Sequence, residues 1–128
     1  MMPPRHDPGG WRDIQPELSA EPYVFASADW TGPPPGVSAF AVIREDEGVT
    51  VVLTQADADR ARLCYDYVAA RITLRVGSAL TDVGLTALFS RTLAEAGISC
   101  NVIAGLAHDH LFVGWDQAAQ ALARLREL

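Results

Sequence analysis

The sequence predicts a small α+β protein, because its second half carries the order strand, helix, strand, strand, helix. Apolar and polar residues alternate from Arg71 to Val76, which is typical of a strand with one buried face. From Leu85 to Ala96 apolar residues recur every three or four positions, which predicts a helix with one core-facing stripe. Gly97 then stands where a left-handed helix end is expected. These observations define a strand–helix corner at the centre of the second half.

Two strands and a helix complete this half. Residues 98–104 and 110–115 predict a hairpin, and Asp116 stands at the expected start of a final helix. The apolar residues of that helix share one face and are Ala118, Ala121, Leu122, Leu125 and Leu128.

The first half predicts a shorter set of elements. A strand is expected at residues 23–27, and the three consecutive prolines that follow it interrupt regular structure. Two apolar, β-branched runs at 40–44 and 49–53 flank a charged turn and predict a hairpin. Thr54 is expected to cap a helix over residues 55–63.

The chain is divided here into three parts. Residues 1–20 are rich in proline and glycine and are expected to form a flexible leader. Residues 21–66 and 67–128 then form two halves that resemble each other in the order of their elements. The similarity is read as a weak internal duplication, although alanine-rich helices that follow apolar strands also look alike by chance.

Composition excludes several classes of function. The formal net charge is −6, with 16 acidic and 10 basic residues, so the chain is a poor partner for nucleic acid. No apolar run approaches the length of about 20 residues that spans a bilayer. The two cysteines, Cys64 and Cys100, have no metal-type spacing, which favours a reducing, cytoplasmic location.

Three segments and one hairpin carry a family resemblance. The segments are Ser78–Thr86, Leu93–Val102 and His108–Val113, and the hairpin spans residues 41–53. With these residues the chain resembles the ACT domain family, in particular the short stand-alone bacterial type related to the regulatory domains of aspartate kinases. The resemblance covers about residues 21–127.

The resemblance implies a ferredoxin-like α+β fold, here expected as two ACT-like halves of unequal completeness. It also implies a homodimer and a non-catalytic domain that binds a small-molecule effector, expected to be an amino acid, with no cofactor. Domains of this family are usually attached to an enzyme or a transcription regulator, and none is present in this sequence. A separate enzyme partner is therefore expected as the recipient of the signal.

The expected ligand site is the strand–helix corner. A helix N-terminus offers unpaired N–H groups and partial positive charge, and a glycine lets a ligand approach the backbone. The same corner is explained without a ligand if its polar residues only cap the helix. Carried over from the family, the ligand-binding residues are Ser78, Asp82, Val83, Gly84 and Leu85, with Asn101 across from them.

An alternative function is protein–protein assembly without a ligand. In a two-layer fold, the sheet face away from the helices would be open to water, and Phe112, His110 and Ile103 are expected on it as interface residues. A third hypothesis, a metal-dependent enzyme built on His108 and His110, lacks a visible third ligand. No residues are assigned to catalysis, a metal or a cofactor.

Overall fold

The computed structural model describes residues 14–28, 33–75, 80 and 82–128. Its strands are β1 (Pro16–Ala28), β2 (Ala41–Glu45), β3 (Gly48–Thr54), β4 (Val68–Leu74), β5 (Asn101–Ala104) and β6 (Asp109–Gly114). Its helices are α1 (Gln55–Arg60), α2 (Leu85–Glu95) and α3 (Ala118–Arg126), the last preceded by a 3₁₀ turn at Trp115–Gln117. The predicted α+β class and the order of elements are confirmed.

The chain forms two compact units. The smaller unit comprises Ala20–Ala69, and the larger comprises Ala70–Leu128 together with the start of the chain as far as Ser19. These bounds resemble the two halves drawn from the sequence, except that the first residues of β1 belong to the larger unit. The internal duplication stays a prediction.

The smaller unit is a three-stranded antiparallel sheet in the order β2–β3–β1. Its core contains seven buried residues: Val24, Ala26, Ala28, Val49, Val51, Leu53 and Ala58. Thr54 caps α1 as predicted, because its hydroxyl oxygen accepts a hydrogen bond of 3.2 Å from the backbone N–H of Asp57. The helix ends at Arg60, earlier than predicted, since Arg62 adopts a left-handed conformation with φ of 59°.

The larger unit contains the strand order β1–β4–β6–β5, of which β5 and β6 pair antiparallel. Three residues of the predicted apolar stripe of α2, Leu85, Phe89 and Leu93, are buried, and the other two, Leu88 and Ala96, are partly buried against the same core. The stripe shares this core with residues from the other elements of the unit, which include Ile72, Leu74, Leu111, Val113, Ala121 and Leu125. The helices therefore cover one face of this part of the sheet.

The C-terminal end of α2 forms as the glycine predicted. Gly97 adopts a φ of 73°, and its N–H donates to the carbonyl of Ala94 over 2.9 Å. The N–H of Ile98 donates to the carbonyl of Leu93, also over 2.9 Å, which completes a Schellman motif. Ile98 is buried in the core, and β5 begins three residues later than its predicted extension.

The first strand begins earlier than the sequence indicated. Residues 16–20, expected in the leader, lie in β1, and Ile14 is buried in the core of the larger unit. The N–H of Arg75 donates to the carbonyl of Gln15, which attaches this segment to the end of β4. Two prolines concealed the strand, because proline removes a backbone donor and usually marks a loop. Residues 1–13 of the predicted leader lie outside the described residues.

Phe89 provides a test of the core of the larger unit, since its side chain is fully buried in α2. We expect Phe89→Ala to lower the free energy of unfolding by about 3–5 kcal/mol, through lost burial and the cavity left behind. Arg91→Ala, at an exposed position of the same helix, should change it by less than about 0.5 kcal/mol. Urea denaturation measures both values. A loss below about 1 kcal/mol for Phe89→Ala would contradict this packing.

The two cysteines should react at different rates. Both are free thiols, Cys64 being exposed and Cys100 half-buried. Burial raises the pKa of the Cys100 thiol to about 11, so its reactive thiolate is scarce near neutral pH. Iodoacetamide at pH 8 should therefore label Cys64 first, and mass spectrometry of the peptides should show Cys100 largely unmodified until urea unfolds the protein. Equal labelling of the folded protein would refute the assignment.

Candidate functional site

The start of α2 has the backbone arrangement that the sequence of the corner predicted, with a glycine at the N-terminus of the helix. Gly84 is the N-cap residue, with a φ of 105° that glycine adopts without strain, and it has no side chain to cap the helix. The first intrahelical hydrogen bond runs from the N–H of Leu88 to the carbonyl of Gly84 over 3.0 Å. The N–H groups of the first turn consequently have no intrahelical acceptor, and they carry the positive end of the helix dipole.

A small pocket lies between this corner and the turn that joins β5 to β6. Its volume is about 80 Å³. The corner and the first turn of α2 supply one wall, and the end of β5, the turn and the start of β6 supply the other. The lining residues are Leu80, Asp82, Leu85, Thr86, Ala104, Gly105, Ala107, His108 and Asp109.

Gly105 is needed for the shape of the second wall. Its N–H donates to the carbonyl oxygen of His108 over 2.9 Å, which closes a tight hairpin with Leu106 and Ala107 at the tip. A Cβ atom at position 105 would lie 3.0 Å from that same oxygen, closer than side chains normally approach a backbone atom. A residue with a side chain at position 105 would therefore displace the backbone of the β5–β6 turn at His108.

The charged side chains that line the pocket among the described residues are both acidic. Asp82 comes from the corner and Asp109 from the start of β6. Partial burial raises the pKa of the Asp109 carboxyl, because desolvation penalises its charged form. The pocket therefore combines two carboxyl groups with the positive end of a helix.

His108 contacts Arg75, which forms an ion pair with Glu17. The Nε of Arg75 donates to Oε2 of Glu17 over 2.6 Å, and its Nη1 lies 3.3 Å from Nε2 of His108. An arginine only donates hydrogen bonds, so Nε2 of His108 is the acceptor in this contact. The Nδ1 atom of His108 is buried and has no hydrogen-bond partner among the described residues. The Arg75 guanidinium also lowers the pKa of Glu17, first through the hydrogen bond.

His110 has a structural partner. Its Nδ1 lies 2.9 Å from the hydroxyl of the buried Thr73. Burial lowers the pKa of the His110 ring, and the positive charge of Arg71 lowers it further. His108 and His110 stand nearly perpendicular, with ring centroids 6.5 Å apart. Within the part of the chain that the structure describes, no group of three or more His, Cys, Asp or Glu residues could hold a metal ion.

The structure brings together only part of the predicted ligand site. Asp82 and Leu85 line the pocket, Gly84 starts the helix, and Val83 lies exposed between Asp82 and Gly84. Ser78 lies outside the described residues.

The expected position of Asn101 is corrected. The pocket contains the end of β5 at Ala104, whereas Asn101 is exposed at the other end of that strand. The reason is the direction of the chain. The 11 residues of α2 carry it about 16 Å away from the corner, and β5 then runs back toward it.

The predicted open sheet face is also corrected. Phe112 is fully buried within the chain, and Thr73 is buried as well, so the face is not open to water at these positions. Ile103 and His110 are half-buried. The sequence pattern identified the face away from the helices correctly, but solvent exposure depends on what covers a face, which periodicity does not report.

Seven residues of the lining were not predicted as ligand-site residues. Two of them, Leu80 and Thr86, belong to the side of the corner, and five belong to the β5–β6 side: Ala104, Gly105, Ala107, His108 and Asp109. The signal that could have found these five is strand direction, because a strand returning from α2 must end beside the start of that helix. The β5–β6 turn, with Gly105 at its beginning, is therefore the segment that faces the corner.

The raised pKa of Asp109 leads to a prediction about stability. The unfolded protein releases this proton at a lower pH than the folded protein, so ionisation of Asp109 lowers the free energy of unfolding as pH rises through that interval. Asp109→Asn removes this cost. Its melting temperature at pH 7 should equal or exceed that of the unaltered protein, and any gain should vanish in acid, where both states are protonated.

The matched control is Glu95→Gln, at an exposed position in the last turn of α2. Thermal melts of the three proteins between pH 3 and pH 7 measure the effect. A clear loss of stability in Asp109→Asn at pH 7 would show that the carboxylate stabilises the fold.

Within the described residues, no helix is both long enough and apolar enough to cross a membrane. A comparison with curated proteins gave no match. Among solved structures, the chain is similar to a Vibrio cholerae protein of unknown function described as a possible transport protein. The two are 43% identical, with a TM-score of 0.81, over 91% of this chain and 90% of that one.

Two further solved structures share the fold at low identity. A protein from Agrobacterium tumefaciens is 16% identical with a TM-score of 0.73, over 89% of this chain and 87% of that one. The regulatory subunit of aspartate kinase from Thermus thermophilus, in its ligand-free form, is 9% identical with a TM-score of 0.66, over 88% and 94%.

The family comparison agrees with the fold. The ACT domain model matches residues 11–70, which include the hairpin that carried part of the resemblance. The fold shared with an aspartate kinase regulatory subunit, which extends over the second half as well, is the ferredoxin-like ACT fold. Residues 11–70 thus match the ACT domain family, and the chain has the fold of that family's domains.

Proposed function

We propose that this chain is a non-catalytic regulatory domain that binds a free amino acid in the pocket between α2 and the β5–β6 turn. The observation that carries the proposal is the pairing of opposite charges across this small pocket. The glycine-capped start of α2 lies on one side, and the carboxyl groups of Asp82 and Asp109 lie beside it. A zwitterion fits both.

The α-carboxylate of the ligand would accept hydrogen bonds from the N–H groups in the first turn of α2, beginning at Leu85 and Thr86. Its α-ammonium group would lie between Asp82 and Asp109. Binding an ammonium group would offset the cost of ionising the desolvated Asp109 carboxyl, so the group that weakens the fold would strengthen the complex.

Similarity to an aspartate kinase regulatory subunit supports a regulatory role. A homodimer and a separate enzyme partner belong to the same proposal, as properties that the family resemblance implies. A cytoplasmic location is supported by the free thiol of the exposed Cys64. Since ACT domains are regulatory modules, no catalytic step is proposed.

The alternative of a ligand-free assembly module acting through the sheet face has less support. It relied on an exposed Phe112, and that side chain is fully buried. A charged residue at this position would damage the core before it affected any interface.

Binding is tested by thermal melts of the purified protein with each of the twenty amino acids, followed by calorimetric titration of those that stabilise it. A ligand at about 100 times its dissociation constant should stabilise the fold by about 2.7 kcal/mol, worth several degrees. Asp109→Asn should weaken binding at least about 10-fold, since it removes one partner of a charge-assisted hydrogen bond.

Glu95→Gln serves as the control, because it removes the same charge from the opposite end of α2 and should bind the ligand normally. If no amino acid shifts the melting temperature, or if Asp109→Asn and Glu95→Gln bind alike, this pocket is not the site. The search would then turn to a partner protein.

A further inference from the structure

Three large apolar side chains beside the pocket are exposed to water. The exposed fractions are 68% for Leu80, 61% for Val83 and 84% for Leu106. Leu80 lines the pocket itself. Val83 lies between Asp82 and Gly84 in the corner, and Leu106 is at the tip of the β5–β6 turn between two residues of the opposite wall. These three side chains are called the apolar rim.

The apolar rim is more exposed than the other large apolar side chains. Elsewhere in the described residues, the exposed ones are Leu18, Val42, Ile43 and Trp115, and none of them exceeds 43%. Single exposed apolar residues are common, but a group around one pocket indicates a surface that a ligand covers. Both walls contribute, so the group does not come from one irregular loop.

The rest of the lining limits what the ligand's side chain can be. Besides the two carboxyl groups and His108, the lining is mainly small or apolar, with Leu85, Ala104 and Ala107 among it. An acidic side chain on the ligand would meet like charge, because the lining includes the carboxyl groups of Asp82 and Asp109. The apolar rim instead favours a side chain that is itself removed from water on binding.

We infer that the effector is an amino acid with a large apolar side chain, such as leucine, isoleucine, methionine or phenylalanine, packed against Leu80, Val83 and Leu106. This inference rests on the proposed function and names the class of its ligand. The α-carboxylate and α-ammonium groups, which all amino acids share, bind at the start of α2 and at the carboxyl groups of Asp82 and Asp109. The apolar rim then distinguishes one amino acid from another.

The test compares leucine, alanine, aspartate and lysine by calorimetric titration at one pH and salt concentration. Leucine should bind about 10-fold or more tightly than alanine, whose side chain is too short to cover the rim. Leu106→Ser should reduce the affinity for leucine by about 5- to 10-fold and change the affinity for alanine by less than about 2-fold. Because Leu106 is exposed in a turn, the melting temperature of this variant should equal that of the unaltered protein.

The matched control is Val42→Ser, which replaces another exposed apolar residue in β2. It should leave both affinities unchanged. Tighter binding of lysine or aspartate than of leucine would overturn the inference while leaving the proposed function intact. Equal binding of leucine and alanine, or equal effects of the two serine variants, would overturn it in the same way. If none of the twenty amino acids binds, the proposed function fails and the inference fails with it.

Discussion

The packing of α2 is the constraint on which the site depends. Leu85, Phe89 and Leu93 are buried in one core, and this fixes the rotation and position of the helix over its part of the sheet. Leu85 belongs to the first turn, so its burial determines where that turn lies. The Schellman end at Gly97 then turns the chain so that β5 runs back toward that first turn. The meeting of the corner and the β5–β6 turn follows from these two facts.

The resulting pocket contains groups of opposite charge. The backbone supplies positive character at the start of α2, whereas the side chains supply the carboxyl groups of Asp82 and Asp109. Burying a carboxyl group beside a pocket works against folding, as the raised pKa of Asp109 shows. Such a residue is explained more readily by a ligand than by stability, since a neutral residue would fold at least as well.

Polar contacts support the wall of the pocket that the β5–β6 turn forms. Glu17, Arg75 and His108 are joined by hydrogen bonds, and the backbone of His108 closes the turn through Gly105. The side chain of His108 is thus anchored to β1 through Arg75, and its carbonyl defines the loop tip. Glu17 lies in the first part of β1, which is why the early start of this strand matters for the site.

The sequence by itself determined the elements that depend on local physics. The alternation of apolar and polar residues predicted β4, and apolar residues at spacings of three and four predicted α2. Thr54 predicted the cap of α1, and Gly97 predicted the end of α2. Tertiary structure decided which of these meet. Asn101 and Asp109 lie at opposite ends of a hairpin, so only the path of the chain shows which one reaches the corner. Phe112 was assigned to the face away from the helices, but its complete burial is a property of the folded chain that alternation along one strand does not report.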